Sequence, residues 1–398
     1  MFQGKKIILG ISASIAAYKC IYLVRLLTSQ GAEVRVVMTQ ATKDFVSPLV
    51  LSTFSKHPVW IDFHENNVWN NHVELGLWGD VFVIAPSTCN TLGKLANGLC
   101  DNMLIATYLS ARCPVVIAPA MDEDMYLHPA TQASIHTLKT RGNHVLEVNS
   151  GALASGLHGP GRMAEPEEIV VYLATHFFRG KALNGKRVLI SAGPTQEAID
   201  PVRFISNHST GKMGIALANA FFMAGADVTL IAGPMNLKPD FSGITTVEVV
   251  SAADMENACL NAFEESDICI MAAAVADYRP IKIADQKIKK VDSELSIELT
   301  RTSDILQKLG TMKKSGQCLI GFALETQDEE ANAKAKLKRK NADFIILNSM
   351  QDAGAGFGRD TNQVTIYSAN GSQESLALAS KKEIASQICQ RIIKSINH

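Results

Sequence analysis

The stretch Val188 to Gly214, near the middle of the chain, constrains the fold most. Arg187 to Ala192 is a short apolar run that breaks at Gly193-Pro194-Thr195, as a buried parallel strand does on reaching a turn. From Ser209 small and hydroxyl residues lead into Ile215-Ala-Leu-Ala-Asn-Ala-Phe-Phe-Met223, whose helical spacing stops at Gly225. The pattern predicts a strand, a long loop and a helix whose start carries Ser209, Thr210, Gly211 and Lys212. Free N–H groups and the positive end of the helix dipole favour phosphate there. A Walker loop is excluded, because Ser206 takes its first glycine position and Met213 stands where the metal-binding hydroxyl is needed. A polar loop that merely caps a helix would account for Ser-Thr-Gly-Lys alone. Asp200, Arg203 and Asn207 in the same stretch favour a ligand site.

On both sides of this stretch strands alternate with helices, which predicts an α/β chain of two doubly wound domains. In the first half, Lys6–Ile11, a helix beginning near Ser12 and Glu33–Met38 form a βαβ unit. Gly10, Ser12 and Ser14 lie at its strand-to-helix turn, where hydroxyls and N–H groups hold phosphate. Without a dinucleotide glycine fingerprint, a mononucleotide such as FMN is expected. Two later strands, from Val81 and from Val115, both end in Ala-Pro. One copy is a simple strand terminator. Two copies argue that Ser87, Thr88, Met121 and Asp122 converge with the first turn beyond the strand ends. His72 lies beside apolar residues, a pattern that by itself assigns it no chemistry. Ser150 to Met163, glycine-rich and aperiodic, reads as a mobile flap with Arg162 available for an anionic substrate. A helix from Pro166 to Phe178 closes this half, and the polar segment Arg179 to Lys186 reads as the linker.

In the second half the strand Asp267–Met271 runs into Ala272-Ala-Ala-Val-Ala-Asp-Tyr278. Small residues at a strand end let a ligand approach the backbone, and Asp277 suits a ribose or a magnesium ion. Lys287-Ile-Lys-Lys290 and the run Lys334 to Lys340 are solvated faces on composition alone. Beside an anion-binding helix start they suggest a triphosphate clamp.

At 398 residues the chain is long enough for two full cores, and its net charge of -1 gives no reason to expect nucleic acid or an anionic membrane. Its 8 cysteines form no C-x-x-C pair, so zinc and a disulfide framework find little support and a reducing cytoplasm is expected. No apolar run approaches membrane-spanning length.

Ser191-Ala-Gly-Pro-Thr-x-Glu-x-Ile-Asp, Ser206-Asn-His-Ser-Thr-Gly-Lys-Met-Gly, Ala273-Ala-Val-Ala-Asp-Tyr and Lys287-Ile-Lys-Lys together resemble the phosphopantothenate–cysteine ligases. Gly10-Ile-Ser-Ala-Ser-Ile-Ala-Ala-Tyr-Lys, His72, Ala118-Pro-Ala-Met-Asp-Glu-Asp-Met125 and Gly159-Pro-Gly-Arg-Met163 resemble the flavin-dependent phosphopantothenoylcysteine decarboxylases. The resemblance covers nearly the whole chain, and is to the bacterial bifunctional coenzyme A biosynthesis family.

It implies a flavodoxin-like decarboxylase domain over 1–180 and a Rossmann-like ligase domain over 184–398. In the ligase, CTP with Mg2+ activates the carboxylate of 4'-phosphopantothenate as an acyl-cytidylate, which the amine of L-cysteine attacks. Asn207 holds that intermediate and Lys287 stabilises charge at the α-phosphate. Ala273, Ala274, Asp277, Ser303, Asp304, Ile305, Leu306, Phe322, Lys336 and Lys340 bind the nucleotide, and Arg203 the substrate. In the decarboxylase, FMN is held by Gly10, Ser12, Ser14, Thr39, Ser87, Thr88 and Met121, with His72 as base. The family carries Asn where this chain has Asp122, and a proton-donating Cys where it has Ser155. A protonated Asp122 is expected to donate a hydrogen bond and a proton in their place. The alternative is a working ligase beside a flavin-binding assembly module. A large homo-oligomer, with trimeric N-terminal and dimeric C-terminal contacts, is also implied.

Overall fold

The computed structural model describes residues 2–65, 68–289, 295–325, 328–349 and 359–396, so Lys290 lies outside the described residues. The chain divides into two compact units, Met1–Phe178 and Arg179–His398.

The strands of the first unit's main sheet are β1 (Lys6–Ile11), β2 (Glu33–Met38), β3 (Val59–Trp60), β6 (Val81–Ser87), β7 (Val115–Pro119) and β8 (His144–Val145). β4 (His64–Glu65) and β5 (Val68–Trp69) form a separate small hairpin. The sheet order is β3-β2-β1-β6-β7-β8, and every pairing is parallel. A 3-10 turn at Ile15–Tyr18 precedes α1 (Lys19–Ser29), and the other helices are α2 (Pro48–Ser55), α3 (His72–Trp78), α4 (Cys89–Asn97), α5 (Met103–Ser110), α6 (Glu123–Leu127), α7 (Pro129–Thr140) and α8 (Pro166–Phe177). All of β6 is buried, as expected of a strand covered by helices on both faces. The chain leaves β1 toward one edge and returns beside it as β6, so the topological switch lies between their carboxyl ends.

The expected aperiodic flap is a hairpin, β9 (Asn149–Ala152) paired antiparallel with β10 (His158–Arg162). Among its glycines, Gly161 serves close approach to backbone. A Cβ at Gly161, where φ is +142°, would stand 2.2 Å from the Met121 carbonyl oxygen. One at Gly159 would stand 2.2 Å from the Glu123 carboxylate.

The second unit contains β11 (Arg187–Ala192), the hairpin β12 (Gln196–Ala198) and β13 (Phe204–Ser206), β14 (Asp227–Ala232), β15 (Thr245–Glu248), β16 (Ile268–Met271), the hairpin β17 (Tyr278–Pro280) and β18 (Leu299–Arg301), β19 (Cys318–Glu325), β20 (Phe344–Ser349), β21 (Thr361–Ser368) and β22 (Gln373–Ser380). The main sheet runs β15-β14-β11-β16-β19-β20-β21-β22, parallel as far as β20 and antiparallel beyond it. Its helices are α9 (Lys212–Met223), α10 (Ala252–Phe263), α11 (Ile305–Met312), α12 (Glu329–Arg339) and α13 (Lys381–Ile396). Leu189, Met255, Phe263, Leu309, Leu319 and Ile345 are part of one buried core.

Helix α9 meets β11 at Gly214, where a Cβ would come within 2.4 Å of the Ala192 Cβ. Gly214→Val is therefore expected to cost about 1–3 kcal/mol by overpacking. An unchanged urea midpoint for the second unit's unfolding would contradict that packing.

The segment expected to be a free linker is packed onto the second unit. Arg179 donates from Nε to the Phe222 carbonyl at 2.9 Å and from Nη2 to Ala226 at 2.8 Å. Gly180 N–H bonds the Met223 carbonyl at 2.7 Å, and Leu183 is fully buried. These bonds satisfy carbonyls at the end of α9, which a composition-based reading of a polar segment does not reveal.

Candidate active sites

In the second unit a cleft of about 1030 Å³ opens at the carboxyl ends of β16 and β19 and at the start of α9. Asn207, Ala273, Ala274, Asp277, Ser303, Asp304, Ile305, Leu306, Phe322, Lys336 and Lys340, scattered over the sequence, all line it. Ser209 to Lys212 contribute the helix start expected to attract phosphate.

Asn207 follows β13, and its Nδ2 donates to the carbonyls of Ala274 at 3.0 Å and Val275 at 3.1 Å. Those two bonds orient the amide and fix the small-residue segment after β16. Asp304 caps α11 by accepting the Gln307 N–H at 2.9 Å and also takes an ion pair from Lys340. Burial works to raise the Asp304 carboxyl, but the Lys340 ammonium and the Gln307 N–H outweigh it and hold the group below the usual range. Lys336 reaches the Phe322 carbonyl at 2.9 Å. The expected triphosphate clamp is thus already engaged within the chain, with Lys340 only 5% exposed.

Sequence reasoning missed another part of the wall. Lys381 lines the cleft, and burial together with the Lys212 charge lowers its ammonium below the ordinary lysine value. Lys212 pairs with Asp360 at 2.6 Å. Asn348 and Asn362 face the same cleft, and among the described residues neither Oδ1 has a hydrogen-bond partner. They come from β20 and β21, strands that carry no recognisable motif, so only tertiary placement reveals them.

Lys287 and Arg203 are not among the lining residues of the cleft. Arg203 was expected to hold substrate, but its guanidinium binds the Asp200 carboxylate at 3.0 and 2.5 Å and the Ile288 carbonyl at 2.9 Å. It fastens the segment that carries Lys287. Lys287 itself is exposed.

In the first unit the predicted cofactor residues gather at the carboxyl ends of β1, β2, β6 and β7. Ser12 donates to the Pro86 carbonyl at 2.8 Å and accepts the Thr88 N–H at 3.0 Å, so it joins the two ends flanking the switch point. Ser14 caps the 3-10 turn, Thr88 caps α4, and Thr39 is 2.8 Å from the Thr42 hydroxyl. A Cβ at Gly10 would come 2.9 Å from the Phe82 ring, so that glycine serves helix and strand packing. Ser87 Oγ is fully buried, with no partner among the described residues. An orphaned hydroxyl at the end of a switch-point strand fits a polar ligand such as the flavin expected there.

His72 opens α3 between Phe63 and Trp69, whose rings lie 6.0 and 5.9 Å away, and its buried Nδ1 has no partner among the described residues. Arg162 is 3.5 Å from Glu165. Ser155 and Asp122, 33 residues apart, meet directly: Ser155 Oγ donates to Asp122 Oδ1 at 2.6 Å. The thiols of Cys259, Cys318 and Cys389 are pushed up to about 12 by burial, which suits packing and not nucleophilic chemistry.

Comparison with known proteins bears on both units. Residues 1–178 match the Flavoprotein family and residues 183–396 the DNA/pantothenate metabolism flavoprotein C-terminal domain. The coenzyme A biosynthesis bifunctional protein CoaBC of Bacillus subtilis (strain 168) is 46% identical over 98% of this chain and 97% of its own length. The chain belongs to the CoaBC family.

The CoaBC of Escherichia coli (strain K12) is 39% identical over 97% of this chain and 95% of its own length. A cysteine/cysteine sulfinic acid decarboxylase from an unknown prokaryotic organism is 53% identical, over 88% of this chain and all of that protein. Among solved structures, the C-terminal domain of a CoaBC is 44% identical, covering 55% of this chain and 99% of its own with a TM-score of 0.48. The two positions that the resemblance marks as departures from the decarboxylase residues, Asp122 and Ser155, bond to each other.

Proposed function

We propose that this chain catalyses two consecutive steps of coenzyme A biosynthesis. The second unit condenses 4'-phosphopantothenate with L-cysteine at the expense of CTP, and the first decarboxylates the phosphopantothenoylcysteine so formed to 4'-phosphopantetheine with FMN. The observation that carries the ligase reading is the convergence of Asn207, the Ala273–Asp277 segment, the α11 start and Lys336 with Lys340 on one cleft.

In that cleft the helix start at Ser209 to Lys212 offers N–H donors to a phosphate, while Lys336 and Lys340 exchange their internal partners for phosphate oxygens as the nucleotide enters. Asn207 presents an oriented amide beside the acyl-cytidylate, and Lys287 swings in to meet charge at the α-phosphate. Magnesium bound to the nucleotide would supply Lewis-acid stabilisation of the departing pyrophosphate. In the first unit Ser14, Ser87, Thr88 and Met121 would hold FMN, which when bound supplies the redox chemistry of decarboxylation. The protein works in the cytoplasm as a homo-oligomer. Exposed Ile15, Tyr18, Leu49, Val68 and Trp69 on the first unit support self-association.

The test supplies phosphopantothenate, cysteine, CTP and magnesium to the purified chain and follows pyrophosphate and carbon dioxide separately. Both are expected. Pyrophosphate without carbon dioxide would overturn the decarboxylase assignment and leave the flavin-binding module.

A second reading of the first unit, decarboxylation of a free cysteine-type amino acid, is favoured by the 53% identical relative. Carbon dioxide released from L-cysteine or L-cysteine sulfinate alone, without CTP, would establish it.

The activities are expected to separate. A chain starting at Arg179 should keep CTP-dependent ligation, whereas one starting at Asn184 loses the Arg179, Gly180 and Leu183 bonds to the end of α9 and should melt several degrees lower. Equal melting points would show that these bonds contribute nothing.

A further inference from the structure

Asn362 lines the cleft of the second unit while only 1% exposed, and its Oδ1 has no partner among the described residues. Buried amide oxygens are ordinarily bonded, so two of them facing one cleft, here Asn362 and Asn348, call for a donor from outside the chain. Asn348 stands opposite Val364 near the end of β20, and the register of β21 against β22 slips between Asn362 and Val364. Asn362 thus sits at a bulge, a device that re-aims a side chain. Two helices begin beside these amides. α9 is entered through Gly211, which makes no side-chain cap bond, and a helix start of that kind receives phosphate. α13 is closed by its own box, with the Ser380 N–H on Glu383 Oε2 at 3.0 Å and the Glu383 N–H on Ser380 Oγ at 3.2 Å. What α13 gives the cleft is therefore the Lys381 side chain, which is 8% exposed and donates to the Arg359 carbonyl at 2.6 Å. Lys212 pairs with the next residue, Asp360, at 2.6 Å, so adjacent positions hold both ammoniums. Burial and the Lys212 charge both work against the charge on Lys381, with Asp360 opposing them, and an anion in the cleft relieves that strain. Among the described residues lining the cleft the carboxylates are Asp277 and Asp304, which follow β16 and cap α11. The end built by α9, α13, β20 and β21 thus offers ammoniums, helix N–H groups and two acceptor oxygens, without a lining carboxylate.

We propose that this end of the cleft is the subsite of the departing pyrophosphate, in which Lys212, Lys381 and the α9 start take its oxygens while Asn348 and Asn362 accept hydrogen bonds from the water shell of its magnesium ion. The proposal rests on the ligase reading of the second unit. In that reaction a carboxylate oxygen of phosphopantothenate bonds to the α-phosphorus as the bond from that phosphorus to the bridging oxygen breaks, and the electron pair leaves on pyrophosphate. The leaving group therefore gains negative charge, which ammoniums shielded from water stabilise more strongly than exposed ones do. Phosphate oxygens alone would satisfy the lysines but not the two amide oxygens, which need a hydrogen-bond donor. Magnesium loses water reluctantly and keeps several water ligands when held on phosphates, and those waters are donors. Among the described residues no group of three or more His, Cys, Asp and Glu could hold a metal directly, which agrees with a cation carried by phosphate and met through its water.

The test titrates the full chain calorimetrically with sodium pyrophosphate, with and without magnesium chloride, and with CTP and CMP as references. The wild-type chain should bind pyrophosphate, and more tightly when magnesium is present. Lys381→Met should weaken pyrophosphate and CTP by about 10–100-fold, the range of a hydrogen bond to a charged group. It should leave CMP, which lacks the two terminal phosphates, at wild-type affinity, and Lys381→Arg should recover most of the loss. Asn362→Ala should keep magnesium-free pyrophosphate binding and remove the gain from magnesium. Asn348→Ala repeats that measurement at a half-buried position, where folding is less at stake. CMP binding also shows that each variant retains its cleft. Pyrophosphate bound by Lys381→Met as tightly as by the wild type would overturn the subsite. So would CMP weakened as much as CTP, because the lysine would then act on the nucleoside end or on the fold. A magnesium gain that survives both asparagine substitutions would overturn the part assigned to the amides. A wild-type chain that binds CTP but not pyrophosphate would overturn the subsite alone, whereas one that binds neither would overturn the ligase reading with it.

Discussion

Asn207→Asp is expected to reduce CTP-dependent ligation about 10³-fold while leaving carbon dioxide release from supplied phosphopantothenoylcysteine at the wild-type rate. The amide donates to two carbonyls, Ala274 at 3.0 Å and Val275 at 3.1 Å. An ionised aspartate has no proton for either and sets its own oxygens against theirs. Each lost bond is worth about 1 kcal/mol, so the structural loss alone is modest. The larger effect is electrostatic: a new negative charge about 4 Å from an anionic acyl-cytidylate costs about 4 kcal/mol at an effective dielectric of about 20. That corresponds to about 10³ in rate. Pyrophosphate release measures the ligase, and supplied intermediate measures the decarboxylase, which lies in the other compact unit. Undiminished pyrophosphate release would remove Asn207 from the reaction.

The parts of this chain legible in its sequence are those in which local pattern and chemistry coincide. Arg187–Ala192 and the run after Lys212 declare a buried strand and an apolar helix, and they form β11 and α9. Lys336 and Lys340 stand four residues apart, so a helical α12 and its cap present them on one side, while Lys334 and Lys338 remain exposed. Arg203 was expected to hold substrate, and a pattern does not show that Asp200, three residues earlier, takes its guanidinium. The glycines of 151–161 looked like flexibility because the residues that crowd them, Met121 and Glu123, lie far away in sequence. Asn348, Asn362 and Lys381 were invisible for the same reason. Each sits in an ordinary strand or helix, and only the sheet order brings β20 and β21 beside the cleft. Both changes at Asp122 and Ser155 were readable, but their contact was not.

Lys287→Gln is expected to lower ligase turnover by about 10²–10³-fold with no measurable loss of stability, and the structure explains why the two effects separate. The backbone on either side of Lys287 is fastened to the β12–β13 hairpin region: Ala284 N–H bonds the Ile199 carbonyl at 3.0 Å, and Ile288 N–H bonds Asp200 Oδ2 at 3.1 Å. Arg203 holds the Ile288 carbonyl at 2.9 Å, and the same guanidinium keeps the Asp200 carboxyl well below the usual carboxylate range. A depressed carboxyl contributes stability above its unfolded value of about 3.9, and that contribution is lost only as pH falls through the lower folded value. The anchor therefore persists at every pH suited to the ligase assay, and a pH-dependent rate is not the anchor loosening. The Lys287 side chain itself is exposed, and surface substitutions of that kind stay within about 0.5 kcal/mol. Removing its charge instead withdraws an electrostatic stabiliser from the developing phosphate charge, worth about 3–4 kcal/mol in a water-poor transition state. Turnover and thermal midpoint measured on the same preparation decide the matter. A midpoint that falls with the turnover would mean that Lys287 acts by holding the fold, and its role at the α-phosphate would be lost.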